Sequence, residues 1–262
     1  LEFAKETAFR AGRLVLATFQ TGLAVETKTD GSPVTAADRA GEVLIRERIE
    51  KRFPRHGIFG EELGKSGPTE ASSKHAGNSS NDSTHRWIVD PIDGTRSFVR
   101  GVPLFGVLLA LEIDGEVVVG VCYLPALDEM IAAAKGEGCS WNGRPARVTE
   151  ISRLDQALVS LTEPGSLDDG PTLERFWKKL KRSGATIRGY CDCYGHCLVA
   201  TGRCDVMLDP VMNPWDCAAL LPIVEEAGGT FTDWSGERTI YGGSAVSTNG
   251  QLFDRYLELI RE

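Results

Sequence analysis

Two aspartates and the residues just after them carry the first chemical message of this sequence. Asp90 and Asp93 stand three positions apart in Trp87-Ile88-Val89-Asp90-Pro91-Ile92-Asp93-Gly94-Thr95. The apolar residues before them read as the end of a buried strand. The acids follow on a tight turn that aims both carboxylates at one point. Clustered carboxylates repel one another unless a cation neutralises them. An all-oxygen ligand set favours a hard cation, Mg²⁺ first. Gly94 and Thr95 stand where a helix would begin, and the free N–H groups and positive dipole end there suit a phosphate. Helix capping by Asp is the bland alternative. It accounts for one of the two acids, but not for both together with the Gly-Thr that follows.

Two further acids stand in comparable settings. Gly60-Glu61-Glu62 follows the short apolar run Ile58-Phe59, and Trp215-Asp216 leads into an apolar helix that ends at Ala227-Gly228-Gly229. Alone, Glu61 reads as a solvated loop acid and Asp216 as an ordinary first-turn acid. Other phosphate chemistries fail on spacing. Gly60 to Ser66 approximates a P-loop, with three residues between Gly60 and Gly64 where four are needed. A phospho-aspartyl enzyme needs acids two positions apart, and a Cys-x₅-Arg phosphate cradle is not expected.

The three motifs, in this order, resemble those of the inositol monophosphatase superfamily of Mg²⁺-dependent phosphatases, whose central motif is Asp-Pro-x-Asp-Gly-Thr/Ser. The similarity runs from the first helix to the last, apart from one inserted stretch. Within the superfamily the chain looks most like the histidinol-phosphate phosphatases. The features that carry this are Arg100-Gly101-Val102-Pro103-Leu104-Phe105-Gly106, Asp192-Cys193-Tyr194-Gly195 and Asp209-Pro210-Val211-Met212-Asn213-Pro214-Trp215-Asp216.

The resemblance implies a ligand set. Glu61 holds the ion that activates water, Asp90 bridges two Mg²⁺, the Ile92 carbonyl ligates one, and Asp93 and Asp216 hold the other. A third, weaker ion is admitted, and Glu62 is structural. The Thr95 hydroxyl, hydrogen-bonded to an acid from the second helix, orients the attacking water. Asp38 in Thr35-Ala36-Ala37-Asp38 fits that acid, and capping of its own helix is an equal reading. Lys28 could lie near the site, but a lone Lys before a Gly turn reads first as solvated. Asp93, Gly94, Thr95 and Asp216 face the substrate's phosphate, while Asp192 and Asp209 line the pocket for the group that carries it. Both could instead be surface acids. Histidinol phosphate bears an ammonium and an imidazole, so an acidic wall suits it, whereas inositol is neutral.

The expected activity is therefore Mg²⁺-dependent hydrolysis of L-histidinol phosphate, a step of histidine biosynthesis, by in-line attack of activated water. Inositol monophosphate or another sugar phosphate is the first alternative, and nucleotide 3′-phosphates come next. A non-catalytic metal- and phosphate-binding protein is the alternative of a different class, against which the intact set of acids plus Thr95 argues. The resemblance also implies a homodimer.

Bulk properties agree with a soluble enzyme. The chain has 262 residues, 42% hydrophobic and 25% charged, with a net charge of −8. No dense Lys/Arg stripe invites nucleic acid. The longest apolar stretch, Val102 to Leu111, is too short for a bilayer. Seven cysteines and no secretory pattern point to the cytoplasm. Cys191, Cys193, His196 and Cys197 cluster locally, but their spacing suits buried thiols better than zinc.

The elements that must position these residues follow from periodicity. Ala4, Ala8, Ala11 and Val15 mark a first amphipathic helix. Ala37, Ala40, Leu44, Ile45, Ile49 and Phe53 mark a second that stops near Pro54. Residues 104–112 and 117–124 form a hairpin through Asp114-Gly115. Met130 to Ala134 adds a strand, and Asn142-Gly143 marks another turn. Strands are expected at Leu158 to Leu161, near Ile187, at Val206 to Leu208 and near Phe231, with a helix face at Leu173, Phe176, Trp177 and Leu180. This divides the chain into an α+β half, residues 1–150, holding most metal ligands, and an α/β half, residues 151–262, holding Asp216 and the substrate-side acids. The resemblance makes the whole a layered αβαβα sandwich. Residues 65–85 are Ser, Asn, Gly, Thr and Lys with almost no large apolar side chain, and are expected to be a mobile insertion. Its two Asn-x-Ser matches read as chance without a secretory signal.

Overall fold

The computed structural model describes residues 1–29, 31–67, 84–162 and 171–261. Helix α1 (Glu2–Leu16) buries Ala4, Ala8, Ala11 and Val15 on one stripe. A small hairpin, β1 (Val25–Thr27) and β2 (Pro33–Thr35), leads into α2 (Ala36–Arg52). Thr35 caps α2 by accepting from the Ala37 N–H, and Pro54 lies just beyond its end, where it cannot continue the helix.

Eight strands form the first sheet, in the order β10-β9-β8-β7-β6-β5-β3-β4. They are β3 (Gly57–Gly60), β4 (Gly64–Ser66), β5 (His85–Asp93), β6 (Gly106–Ile113), β7 (Glu116–Leu124), β8 (Glu129–Ala134), β9 (Gly138–Trp141) and β10 (Arg144–Ala146). Among the described residues of this sheet, only the β3–β5 pair is parallel. A short α3 (Thr95–Val99) follows β5. The second sheet, of five strands in the order β12-β11-β13-β15-β14, uses β11 (Leu158–Leu161), β12 (Thr186–Arg188), β13 (Val206–Asp209), β14 (Thr230–Thr232) and β15 (Ala245–Thr248). Its helices are α4 (Pro171–Arg182), α5 (Asp192–Ala200), α6 (Pro214–Ala218), α7 (Leu220–Glu226) and α8 (Phe253–Arg261).

Side-chain alternation turns these elements into layers. Along β5, Trp87 and Val89 pack with α1 and α2, while Ile88 joins the opposite core with Cys193, Cys197, Leu220 and Leu221 of α5 and α7. Along β13, Val206 and Leu208 face Phe176 of α4 and Tyr256 of α8, while Met207 faces Leu198 and Val199 of α5. The result is the expected αβαβα stack, with α5, α6 and α7 as the middle layer. The apolar stretch after Trp215 is two helices rather than one. Pro222 has no N–H for the Ala218 carbonyl and its ring crowds that position, so the helix breaks at Ala219.

The loop expected over 65–85 is contradicted at both edges. Lys65 and Ser66 pair with β3 as part of β4, and His85 begins β5. Ser66 is held because its hydroxyl accepts from Arg46 at 2.6 Å. The rest of that expectation, residues 68–83, lies outside the described residues. Among the described residues, no helix is long and apolar enough to cross a membrane.

Candidate active site

The strand β5 runs through Asp93, so the acids do not lie on the tight turn that their spacing suggested. Asp90 is paired with Leu108 and Asp93 with Gly106, which leaves one extra residue on β5 and makes a bulge. Asp90 shares the face of Ile88 and looks into the middle layer. The bulge re-aims Asp93 toward the same region, and the Ile92 N–H donates to Asp90 Oδ1 at 2.9 Å. Asp216 arrives from α6, where its Oδ2 accepts from the Asn213 N–H at 2.7 Å. One carboxylate oxygen from each of Asp90, Asp93 and Asp216 lies within 4.8 Å of the others.

Electrostatics mark this as a place for a cation. Burial, then Glu61, Asp93 and Asp216, push the Asp90 carboxyl well above its ordinary range. Burial, then Asp192 and Asp216, do the same to Asp93, and burial first of all pushes Asp216 up to about 6. Each shift measures the cost of charge held close and away from water. A hard divalent ion would remove that cost, and the donor set, all oxygen, fits one.

Glu61 stands beside this trio. Burial raises its pKa, and Lys28 opposes the rise. The Lys28 Nζ lies 2.7 Å from Glu61 Oε1 and 2.5 Å from Glu62 Oε1. Lys28 is thus not the solvated residue its turn suggested. The β1–β2 hairpin folds it back onto two acids that no nearby sequence announces. Burial works to lower its pKa, but the two carboxylates outweigh burial and raise it.

Asp38 caps its own helix and also reaches Thr95. Its Oδ2 accepts from the Thr35 N–H and hydroxyl, each at 2.7 Å, closing a capping box, and its Oδ1 faces the Thr95 hydroxyl at 3.2 Å. Thr95 Oγ1 also lies 2.8 Å from the Ile92 carbonyl. The one hydroxyl hydrogen of Thr95 is within reach of both the Ile92 carbonyl and Asp38, and either choice leaves the Thr95 oxygen a lone pair for a water. Gly94, just before α3, has φ +81°, and a Cβ there would meet the Leu104 carbonyl at 2.9 Å, so both backbone and space require glycine.

Asp192 and Asp209, expected on the substrate side, adjoin the trio. Asp192 opens α5 with φ +56°, a left-handed conformation uncommon outside glycine. Its N–H donates to Thr162 Oγ1 at 3.0 Å, and the Thr162 hydroxyl also bonds Asp209. The next N–H, of Cys193, donates to Asp93 Oδ2 at 2.6 Å. Burial raises the pKa of Asp209, and the charge of Asp192 adds to the rise. Thr162, which ties the two acids together, was missed in the sequence, where it is one more polar residue after a strand.

Two other readings resolve plainly. Among the described residues, Cys191, Cys193, His196 and Cys197 do not converge on a metal position. Cys193 and Cys197 are buried, and His196 Nδ1 turns to Ser247 Oγ at 2.7 Å. Cys197 and Arg203 do have the Cys-x₅-Arg spacing of a phosphate cradle. Cys197 is nonetheless sealed in α5, and Arg203 is paired with Glu129 at 2.6 Å.

A model of the inositol monophosphatase family matches residues 1–262. The chain belongs to that family. It is 44% identical over 254 residues to the histidinol-phosphatase of Chlorobaculum parvum, across 96% of this chain and 93% of the other. It is 40% identical over 240 residues to the histidinol-phosphatase of Mycobacterium tuberculosis, across 90% and 87%. The crystal structure of extragenic suppressor protein suhB from Bartonella henselae superposes with a TM-score of 0.88 at 29% identity, covering 100% of this chain and 98% of that one. Inositol monophosphatase family enzymes are phosphoric monoester hydrolases that depend on a metal, generally Mg²⁺.

Proposed function

We propose that the protein hydrolyses L-histidinol phosphate to L-histidinol and phosphate. The observation that carries this reading is the second pair of acids. Asp192 and Asp209 share Thr162 and stand beside Asp93 and Asp216, where a substrate seated by its phosphate would place its remaining atoms. A cationic group there gains two carboxylates, and a polyol gains little from them. The histidinol-phosphatase relatives support the same choice.

Asp90, Asp93 and Asp216 would hold Mg²⁺, with Glu61 and the Ile92 carbonyl beside them. Two ions match four carboxylates, and a third would be weaker. Bound there, Mg²⁺ would supply the charge that activates water and stabilises the leaving alkoxide. Thr95 accepts a hydrogen bond from the water and passes its own hydrogen toward Asp38, which orients the attack and gives the proton a path. The N–H groups of Gly94 and Thr95 meet the phosphate oxygens. The proposal includes a homodimer and a cytosolic location. Sedimentation measures the first, and the seven free thiols support the second.

The deciding experiment is phosphate release by the purified protein from histidinol phosphate and from inositol 1-phosphate, with Mg²⁺ and with chelator. The expected outcome is Mg²⁺-dependent release with kcat/KM about tenfold or more in favour of histidinol phosphate. Preference for inositol phosphate would reverse the substrate assignment. Release from neither would leave a metal- and phosphate-binding protein without catalysis.

A further inference from the structure

Helix α2 carries more of the site than Asp38. One turn further on, Glu42 is fully buried, and one turn beyond that, Arg46 is nearly so. The Arg46 Nε donates to Glu42 Oε1 at 2.7 Å. The remaining capacity of both side chains goes to the segment just after Glu61. Glu42 Oε2 accepts from the Glu62 N–H at 2.7 Å, and Oε1 accepts from the Leu63 N–H at 3.2 Å. Arg46 donates to Ser66 Oγ at 2.6 Å and to the Gly64 carbonyl. From the other side, the Glu61 N–H is tied to the Val89 carbonyl at 3.1 Å, one residue before Asp90.

The glycine of Gly60-Glu61-Glu62 follows from this arrangement. A Cβ at Gly60 would lie 2.0 Å from Glu42 Oε1, so the carboxylate occupies the space that any side chain there would need. The helix also approaches the Asp90-Pro91 stretch closely, since a Cβ on Gly41 would meet Pro91 Cβ at 3.2 Å. Asp38, Gly41, Glu42 and Arg46 thus contact, in turn, Thr95, Pro91, the Glu61–Leu63 segment and β4.

We propose that Glu42 and Arg46 are positioning residues that fix Glu61 relative to Asp90, with α2 setting the water-orienting pair and Glu61 on one rigid frame. This rests on the reading of Glu61 as a metal ligand. Removing one partner of a buried ion pair leaves a charge without compensation, whereas replacing both with uncharged side chains of similar volume can leave stability nearly unchanged. The single and double substitutions therefore separate fold from position.

The experiment uses Glu61→Gln, Glu42→Gln, Arg46→Met and the double variant Glu42→Gln/Arg46→Met. Each is titrated with Mg²⁺ by calorimetry without substrate, and kcat, KM and the thermal midpoint are measured alongside. Groups that orient a metal ligand typically change metal affinity or activity by roughly tenfold to a hundredfold. The expected result is an affinity for Mg²⁺ and a kcat lowered by that much in Glu42→Gln and in the double variant. KM should stay within about twofold, and the double variant should recover thermal stability without recovering Mg²⁺ affinity. Recovery of both together, or unchanged Mg²⁺ affinity in Glu42→Gln while Glu61→Gln loses it, would reduce the pair to a structural role. Unchanged affinity in Glu61→Gln would overturn the ligand reading beneath the proposal.

Discussion

Acid should compete with Mg²⁺ for this site, and the structure sets the size of the effect. Burial lifts the Asp216 carboxyl from the ordinary 3.8 to about 6, and Asp90 and Asp93 move in the same direction. Between pH 6 and pH 4 the folded, metal-free protein holds a proton on Asp216 that the unfolded chain has released. Its stability at this residue therefore rises as pH falls through about 6 and levels off below about 4. Mg²⁺ must displace that proton. From Asp216 alone, apparent affinity should be roughly tenfold weaker at pH 5 than at pH 7, and Asp90 and Asp93 make this a lower bound. The assay is calorimetric titration of substrate-free protein with Mg²⁺ at pH 5, 6 and 7, read as the free Mg²⁺ concentration at the midpoint of the binding curve. Asp216→Asn should flatten the dependence by one proton. A midpoint constant to within about twofold across that range would refute the idea that these acids bind the ion.

Asp93→Asn should lower turnover by on the order of a hundredfold or more with the fold retained, because the amide oxygen can still accept from Cys193 while the ligand charge is lost. Near-parental turnover at limiting Mg²⁺ would count against Asp93 as a ligand. Asp192→Asn should raise KM for histidinol phosphate by roughly tenfold to a hundredfold, the worth of a charge-assisted contact of about 1.5–3 kcal/mol, and leave a neutral sugar phosphate unaffected. Equal damage to both substrates would make Asp192 structural. Replacing residues 68–83 with a short turn should keep kcat within a fewfold. A Cβ on Gly67 would meet Gly57 Cα at 3.1 Å, and Gly57 pairs with Arg86, so both ends of the excised stretch already meet at Gly57. A large loss of activity in that variant would show that the stretch serves the site.

What the sequence disclosed depended on distance along the chain. Asp90, Asp93, Gly94 and Thr95 fall within six residues, so their spacing alone brought them together, and only the bulge was hidden. Lys28 meets Glu61 across 33 positions, and no local pattern records that meeting. Glu42 and Arg46 gave no signal, because a buried polar pair carries the same letters as an exposed one. Helix α5 escaped notice because nearly every side of it is buried, so Cys193, Gly195, His196 and Cys197 show no 3.6-residue alternation. Strand β15 escaped because its polar residues, Ser247 and Thr248, are as buried as Ala245 and Val246. The metal motifs, most strands of the first sheet and the apolar helical stretch after Trp215 were therefore visible, and α5, β4 and β15 were not.

Asp90 and Asp93 belong to the first sheet, and Asp216 belongs to the layer packed beneath it. Their repulsion acts across the contact between β5 and α6, and an ion bound at that point would draw the two together. It would then also be a fastener, and a chelator would work as a denaturant confined to one seam. Protein prepared without Mg²⁺ would loosen first along α6 and α7, on either side of the break at Ala219, while α1, α2 and the outer pair α4 and α8 kept their packing.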